Sequence, residues 1–216
     1  LPRELEPRLI PIGLDPPEHS QFRIQLMRAF APVKVNALKA DTRAFAGQLV
    51  DQVAARGRCD FVDAIAEPLP VVTFMKLMGM DLSRLREFRG WLYEMLSKDD
   101  GLRLGAHRNI KAMMSELIEQ RRVRREDDLI SELVHAEVGG GPVSADDLQS
   151  YCLVLFGAGL DTVANALSFS MNPLAGDSRL QAKLRADPAL IPAAVEEFLR
   201  LYGVANVVRI VTADAE

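Results

Sequence analysis

After residue 18 the apolar positions recur at steps of three and four, and strand-like alternation is scarce. Before that point Pro2, Pro7, Pro11, Pro16 and Pro17 exclude a helix interior, so the chain enters as an extended or turn-rich segment. Pro17 suits the first turn of a helix running through His19, Phe22, Arg23, Leu26, Met27 and Phe30, which Pro32 ends. A second helix is predicted from about Val33 to Arg56, with Val35, Leu38, Phe45, Leu49 and Val53 near helical spacing and Gly57 as its stop. Asp60 to Ile65 reads either as a short strand or as a loop.

An apolar stretch covers Val71 to Gly79, and Asp81-Leu-Ser then signals a helix reaching about Leu96. A polar break at Lys98 to Gly101 precedes a helix from about Leu104 to Arg122. It ends in Arg121-Arg-Val-Arg-Arg125, cations that favour a helix C-terminus. Asp127 to Val138 reads as a further short helix, and Gly139-Gly-Gly-Pro142 as the clearest break in the chain. Near the end, Ile191-Pro192 opens a helix that Gly203 closes, and Val207 to Thr212 reads as a strand. With no repeat and no domain boundary visible, the pattern predicts one mainly α domain with minor β, spanning residues 1–216.

The longest predicted helix begins at the N-cap Ser144, with Asp147 three residues on, and reaches about Met171, roughly 40 Å at 1.5 Å per residue. It is apolar almost all round from Tyr151 to Phe169, so burial on most sides is expected. Its middle, Phe156-Gly-Ala-Gly-Leu-Asp-Thr-Val163, breaks the rules of a helix interior. Each glycine costs about 1 kcal/mol relative to alanine, and a carboxylate in a buried stretch needs a partner or water. Two readings stand: a tight helix crossing on Gly157 and Gly159, or a ligand groove in which Asp161 and Thr162 handle protons. No phosphate-binding glycine motif fits these residues.

Composition narrows the classes. The chain has 216 residues, 26 Lys+Arg against 30 Asp+Glu, 49% hydrophobic and 26% charged residues, an ordinary balance for a globular protein that buries a core. That excludes wholesale disorder and nucleic-acid binding by bulk positive charge. Two cysteines, Cys59 and Cys152, exclude a disulfide scaffold, and the three histidines have no zinc-ligand spacing. The longest unbroken apolar-plus-glycine run, Cys152 to Leu160, is too short for a bilayer, and no signal peptide opens the chain. A cytoplasmic protein with no nucleic-acid or membrane partner is expected. Phe88 and Trp91 read as core, and His107 and His135 as surface residues.

Two further pairs have the spacing of one helix face. His19 and Arg23, four apart, either clamp an anionic group or decorate a solvated face. Glu197 and Arg200, three apart in Glu196-Glu-Phe-Leu-Arg200, make at least an ordinary surface ion pair.

Taken in order, these segments resemble the cytochrome P-450 family of haem-thiolate monooxygenases, most closely its soluble bacterial members of the camphor-hydroxylating type. The resemblance runs from Asp15-Pro-Pro-Glu-His-Ser-Gln-Phe-Arg23 through Asp127-Asp-Leu-Ile-Ser131 and Phe156 to Val163. It continues through Leu167-Ser-Phe-Ser-Met171 to Ile191 to Arg200, which carries the family's Glu-x-x-Arg. It implies a cytochrome P-450-like helical fold, incomplete in this chain, and haem b (iron protoporphyrin IX) as cofactor. The implied reaction inserts one atom of O2 into a C–H bond of a small hydrophobic, terpenoid-sized substrate. Electrons would come from NAD(P)H through a ferredoxin-type donor.

The resemblance also implies roles. Thr162 would hydrogen-bond dioxygen at the haem, and Asp161 would relay protons from solvent. Ala158 and Gly159 would form the oxygen groove, and Glu197 with Arg200 a buried structural pair. His19, Arg23 and Arg209 would hold the haem propionates, and Val154, Gly157, Ala205 and Val207 would line the substrate pocket. The family's thiolate loop, Phe-x-x-Gly-x-x-x-Cys-x-Gly, has no counterpart here. No metal ligand is therefore expected in this chain, and the ligating cysteine would lie downstream of it. Pro7 stands about where the camphor-type enzymes carry a hydrogen-bonding tyrosine. The competing reading of the same residues is a catalytically inactive helical binding or interaction module that kept this scaffold.

Overall fold

The computed structural model of the chain describes residues 8–205, and these fall into two compact units that meet in sequence at Leu160 and Asp161. In the first unit, α1 (Glu18–Ala29) gives way to α2 (Pro32–Arg56), with Pro32 in the first turn of the second helix as well as past the end of the first. Gly57 ends α2 at φ 72°, a left-handed conformation that suits a residue without a Cβ.

Asp60 to Ile65 is neither strand nor loop. Asp60 Oδ1 accepts from the Val62 N–H at 2.9 Å, and Val62–Ala66 forms a single wide π-helical turn leading directly into α3 (Pro68–Met78). The apolar stretch predicted from Val71 is the body of α3, and Gly79 closes it at φ 70°.

Asp81 caps a short 3-10 turn, Leu82–Arg84, and α4 (Leu85–Met95) follows. The polar break ahead of the next helix is itself a cap: Asp99 Oδ1 accepts from the N–H groups of Gly101 and Leu102 at 2.7 and 3.1 Å, so α5 (Asp100–Val123) starts a turn earlier than apolar spacing suggests. Asp128 likewise caps α6 (Leu129–Val134) through the Ser131 N–H at 2.7 Å. The predicted helix to Val138 is cut short there. Glu137–Val138 (β1) pairs antiparallel with Gly141–Pro142 (β2) across Gly139 and Gly140, both at positive φ as a two-residue hairpin turn requires.

These elements bury one continuous apolar cluster that includes Ile10, Phe22, Met75, Ile110, Ile130 and Tyr151. Phe156 of α7 (Ala145–Gly176) completes it, its ring set edge-on to Phe74 at 6.4 Å and to Phe88 at 6.3 Å. Phe88 and Trp91 are core, as expected; His135 is exposed and His107 half-buried. A buried ion pair sits beside the cluster. Arg121 Nε donates to Asp128 Oδ2 at 2.5 Å and Arg121 Nη2 to the Gly79 carbonyl at 2.9 Å, tying the ends of α3 and α5 to the start of α6.

The second unit continues α7 and adds α8 (Ser178–Ala186), a 3-10 turn at Pro188–Leu190, and α9 (Ile191–Leu201). Local hydrogen bonds dominate it. Asp177 caps α8 through Arg179 and Leu180, and Asp187 caps the turn through Ala189. Ser168 and Ser170 bond back to the carbonyls of Ala164 and Ala166. The Phe169 and Tyr202 rings stack at 6.3 Å.

Contrary to the expectation of burial on most sides, α7 exposes Val163 and Phe169, and only Tyr151, Cys152, Phe156 and Ala164 are buried between residues 151 and 169 with described side chains. The described elements of the first unit cover one face of α7. The predicted strand at 207–212 lies outside the described residues.

Candidate functional site

On α1, His19 is half-buried and Arg23 exposed, one helical turn apart. Among the described residues neither side chain makes a hydrogen bond or an ion pair. Arg23 shares this with Arg43 and Arg86, whereas Arg8, Arg84, Arg89 and Arg121 are each matched by a carboxylate. The helix carrying the two is seated by Phe22, which is buried and receives a hydrogen bond at its carbonyl from the Tyr151 hydroxyl of α7 at 2.5 Å.

On α7, Val154 is half-buried and Ala158, four residues on, is exposed, so the stripe they share is lined by small apolar groups. A Cβ at Gly157 would meet nothing within 4 Å. Gly159 differs. A Cβ there would overlap the Phe74 ring, standing 2.7 Å from Cε2 and nearer still to Cδ2. The expectation that Gly159 lines an open groove with Ala158 is therefore corrected. One residue turns a helix by about 100°, so Ala158 and Gly159 cannot share a face. Gly159 admits α3, as the helix-crossing reading expects, and Ala158 is exposed. Phe74, unnoticed in the sequence, is what makes that glycine necessary.

In the second unit Asp161 is half-buried and accepts at Oδ2 from Asn165 Nδ2 at 2.9 Å; Thr162 is half-buried beside it in sequence. Asn165 was not singled out by the sequence reading. The signal was there in the four-residue step, which puts an amide within reach of a carboxylate one turn before it.

Glu197 and Arg200 form a two-pronged pair, Nε and Nη2 each 2.8 Å from a carboxylate oxygen, and the arginine's hydrogen bonds hold the Glu197 carboxyl below the usual range. The pair is formed but not buried in this chain, since 67% of the arginine and 53% of the glutamate side chain is exposed. The burial expected for it is absent because Phe198 is the buried residue of α9 and no described element covers the neighbouring face. Ala205 is exposed, and Val207 and Arg209 lie outside the described residues.

Cys152 is fully buried, and loss of hydration pushes its thiol up to about 12, so it stays protonated at neutral pH; Cys59 is exposed. Among the described residues no three of His, Cys, Asp and Glu gather as a metal site. The Arg121 to Arg125 run is not a free basic surface. Arg121 pairs with Asp128 and Glu126, Arg122 with Glu119, Arg124 with Glu126, and Arg125 with Glu132, which neutralises the run as a docking patch for an acidic partner.

The cytochrome P450 family model matches residues 58–216. The chain belongs to the cytochrome P450 family.

A protein of Sinorhizobium fredii named "Probable cytochrome P450 127A1" is 32% identical over 209 residues, covering 96% of this chain and 50% of its own length. The polyketide biosynthesis cytochrome P450 PksS of Bacillus subtilis is 34% identical over 192 residues, covering 88% and 47%. Its solved structure superposes with a TM-score of 0.82, covering 87% of this chain and 49% of that one. The 6-deoxyerythronolide B hydroxylase of Saccharopolyspora erythraea is 33% identical over 190 residues, covering 86% and 47%. The chain thus spans about half the length of the P450 relatives it matches. The mainly α architecture matches that of the superposed P450 structure; α7 of this chain is long and apolar enough to cross a membrane by length and composition alone.

Cytochrome P450s use haem. The described residues fit part of such a group. An unmatched arginine and a half-buried histidine one turn apart suit its carboxylates, and a helix stripe of Val154 and small Ala158 suits a flat apolar ring.

Proposed function

We propose that this chain is the oxygen-handling and propionate-holding part of a monooxygenase that inserts one atom of O2 into a C–H bond of a small hydrophobic substrate. The observation that carries the reading is α7, where exposed Ala158 is followed by an acid at 161, held by Asn165, and a hydroxyl at 162. Haem b, when bound, would supply the activation of oxygen.

The chain's own residues do the rest. His19 and Arg23, with Arg209, hold the propionate carboxylates by charge-assisted bonds. Ala158 leaves room beside the helix backbone for a diatomic molecule. Asp161 moves a proton between solvent and the Thr162 hydroxyl, and Asn165 keeps the carboxylate turned toward the helix between transfers. Val154, Gly157, Ala205 and Val207 are apolar or small, a composition that suits contact with a substrate of terpenoid size. The relative named as a hydroxylase supports the reaction class.

Electrons reach the site from NAD(P)H through a ferredoxin-type donor, and the protein works in the cytoplasm. The test is the full-length protein reconstituted with haem, reduced and exposed to carbon monoxide. The expected result is the red-shifted Soret band of a thiolate-ligated haem. Its absence would instead support a helical interaction module.

A further inference from the structure

We propose that Tyr151 is a positioning residue that sets the rotation of α1 about its own axis and so aims His19 and Arg23 at the haem carboxylates. The inference deepens the proposed function and rests on it for the identity of the anionic groups.

α1 is poorly anchored by the usual means. It has no side-chain N-cap, and Phe22 and Ala29 are its only buried residues. Beyond them Leu26 packs against the core at half burial, and Gln25 Nε2 donates to the Glu137 carbonyl at 2.8 Å in an exposed bond two residues past Arg23. A helix held by so few apolar contacts is easily turned. A rotation of about 20° carries a side-chain tip at a radius of about 6 Å through about 2 Å, enough to lose a hydrogen bond to a fixed acceptor.

What opposes that rotation is a directional bond. Tyr151 is fully buried near the start of α7, held by the core on all sides. Its hydroxyl donates to the Phe22 carbonyl at 2.5 Å, and its ring meets the Phe22 ring edge-on at 5.4 Å. Burial pushes the phenol above its ordinary range, so it remains a neutral donor. Phe22 lies between His19 and Arg23 in sequence, so fixing its carbonyl fixes the azimuth of both.

A second strap is wetter. Arg8 lies over the Phe22 ring at 5.9 Å, pairs with Glu18 of α1, and reaches Asp147 of α7 at 3.2 Å. Its 45% exposure makes it the weaker of the two.

Tyr151→Phe removes the directional bond and keeps the ring. The Phe22 carbonyl retains its own helical partner, so the variant folds. In the full-length, haem-loaded protein, haem transfer to haem-free myoglobin is expected to quicken about fivefold, the scale of one weakened charge-assisted bond. In a His19→Ala, Arg23→Ala background the same change should add almost nothing, because Tyr151 acts through those two residues. Hydrogen exchange should quicken at the α1 amides 18–29 and stay unchanged in α3 and α5.

Equal acceleration in both backgrounds would reveal general loosening and overturn the assignment; so would no acceleration, or unchanged exchange in α1. Haem uptake by the parent is read first. A parent that takes up no haem overturns the proposed function together with this inference. A parent that binds haem and is indifferent to Tyr151→Phe overturns this inference alone.

Discussion

From Ile10 to Phe156 most of the buried side chains join into one cluster beside a buried ion pair, whereas beyond Asp161 only Ala164 and Phe198 are buried among the described residues. The first unit is held by tertiary burial, the second by caps and bonds between residues two to four apart. α9 shows the difference most plainly. Its Ile191, Val195 and Leu199 recur at four-residue steps, the pattern of a buried stripe, yet all three are exposed. The two units should therefore answer differently to the same kind of substitution. The chemistry-bearing residues of the second, Asp161 with Thr162 and Glu197 with Arg200, rest on a framework with little packing of its own.

The sharpest way to break this contrast is at the ion pair. Asp128→Ala removes the buried partner of Arg121, leaving it the half-exposed Glu126 and the Gly79 carbonyl, and also removes the α6 cap; it should cost about 3 kcal/mol in urea unfolding. Gly79→Ala should approach it, since φ is 70° and the new methyl would stand 2.8 Å from Arg121 Nη2 and 2.6 Å from Asp128 Cγ. A loss under about 1 kcal/mol for Asp128→Ala would mean the pair is wetter than its burial indicates.

Next comes packing. Ile110→Ala, at full burial, should cost about 2–5 kcal/mol. Val195→Ala, half exposed on α9, should stay within about 0.5 kcal/mol in this chain. In a full-length P450, a larger loss at Val195 would show that the apolar stripe is covered there.

The alkaline limb tests Cys152. Folding keeps this thiol neutral while unfolding frees it to ionise. Its contribution is complete below the ordinary thiol value of 9.0 and is lost as pH rises toward about 12, at up to about 1.4 kcal/mol per pH unit. Cys152→Ala should flatten that slope, the remainder coming from groups such as Tyr151. In native protein at pH 8, a thiol reagent should label Cys59 and reach Cys152 only after unfolding.

The smallest effects separate two glycines of one motif. Gly159→Ala should cost about 1–3 kcal/mol by crowding Phe74, and Phe74→Leu should relieve part of that. Gly157→Ala meets open space and should gain about 0.5–1 kcal/mol of helix propensity. Results of the same sign and similar size would return both glycines to a single role.

Much of this was legible in advance. Proline and glycine punctuation placed α1, α2 and α9 within a few residues, because those residues act through their own backbone, and the Ser144 cap placed the start of α7, which runs on through Pro173 past its expected end near Met171. The π-turn at Val62–Ala66 was not legible, since nothing in the local sequence distinguishes a wide turn from a loop until Pro68 and the core fix its exit. The start of α5 was missed because Asp99 and Asp100 look like a polar break before they are seen to cap. At the site, the residue types were all visible in order. Which neighbour each one faces was not, and so Gly159 was placed on the open stripe and Asn165 and Tyr151 were overlooked.

Sequence alone determined the family, the helical order and the chemistry available along α7, because spacing and residue type are properties of the chain. Tertiary structure decided that Gly159 belongs to a helix crossing, that the arginine run is neutralised, and that α1 hangs from Tyr151. The first and last depend on Phe74 and Phe22, far away in the chain, which only folding brings within contact distance; the arginine pairs depend on carboxylates a few residues away that the passage from α5 into α6 sets within reach.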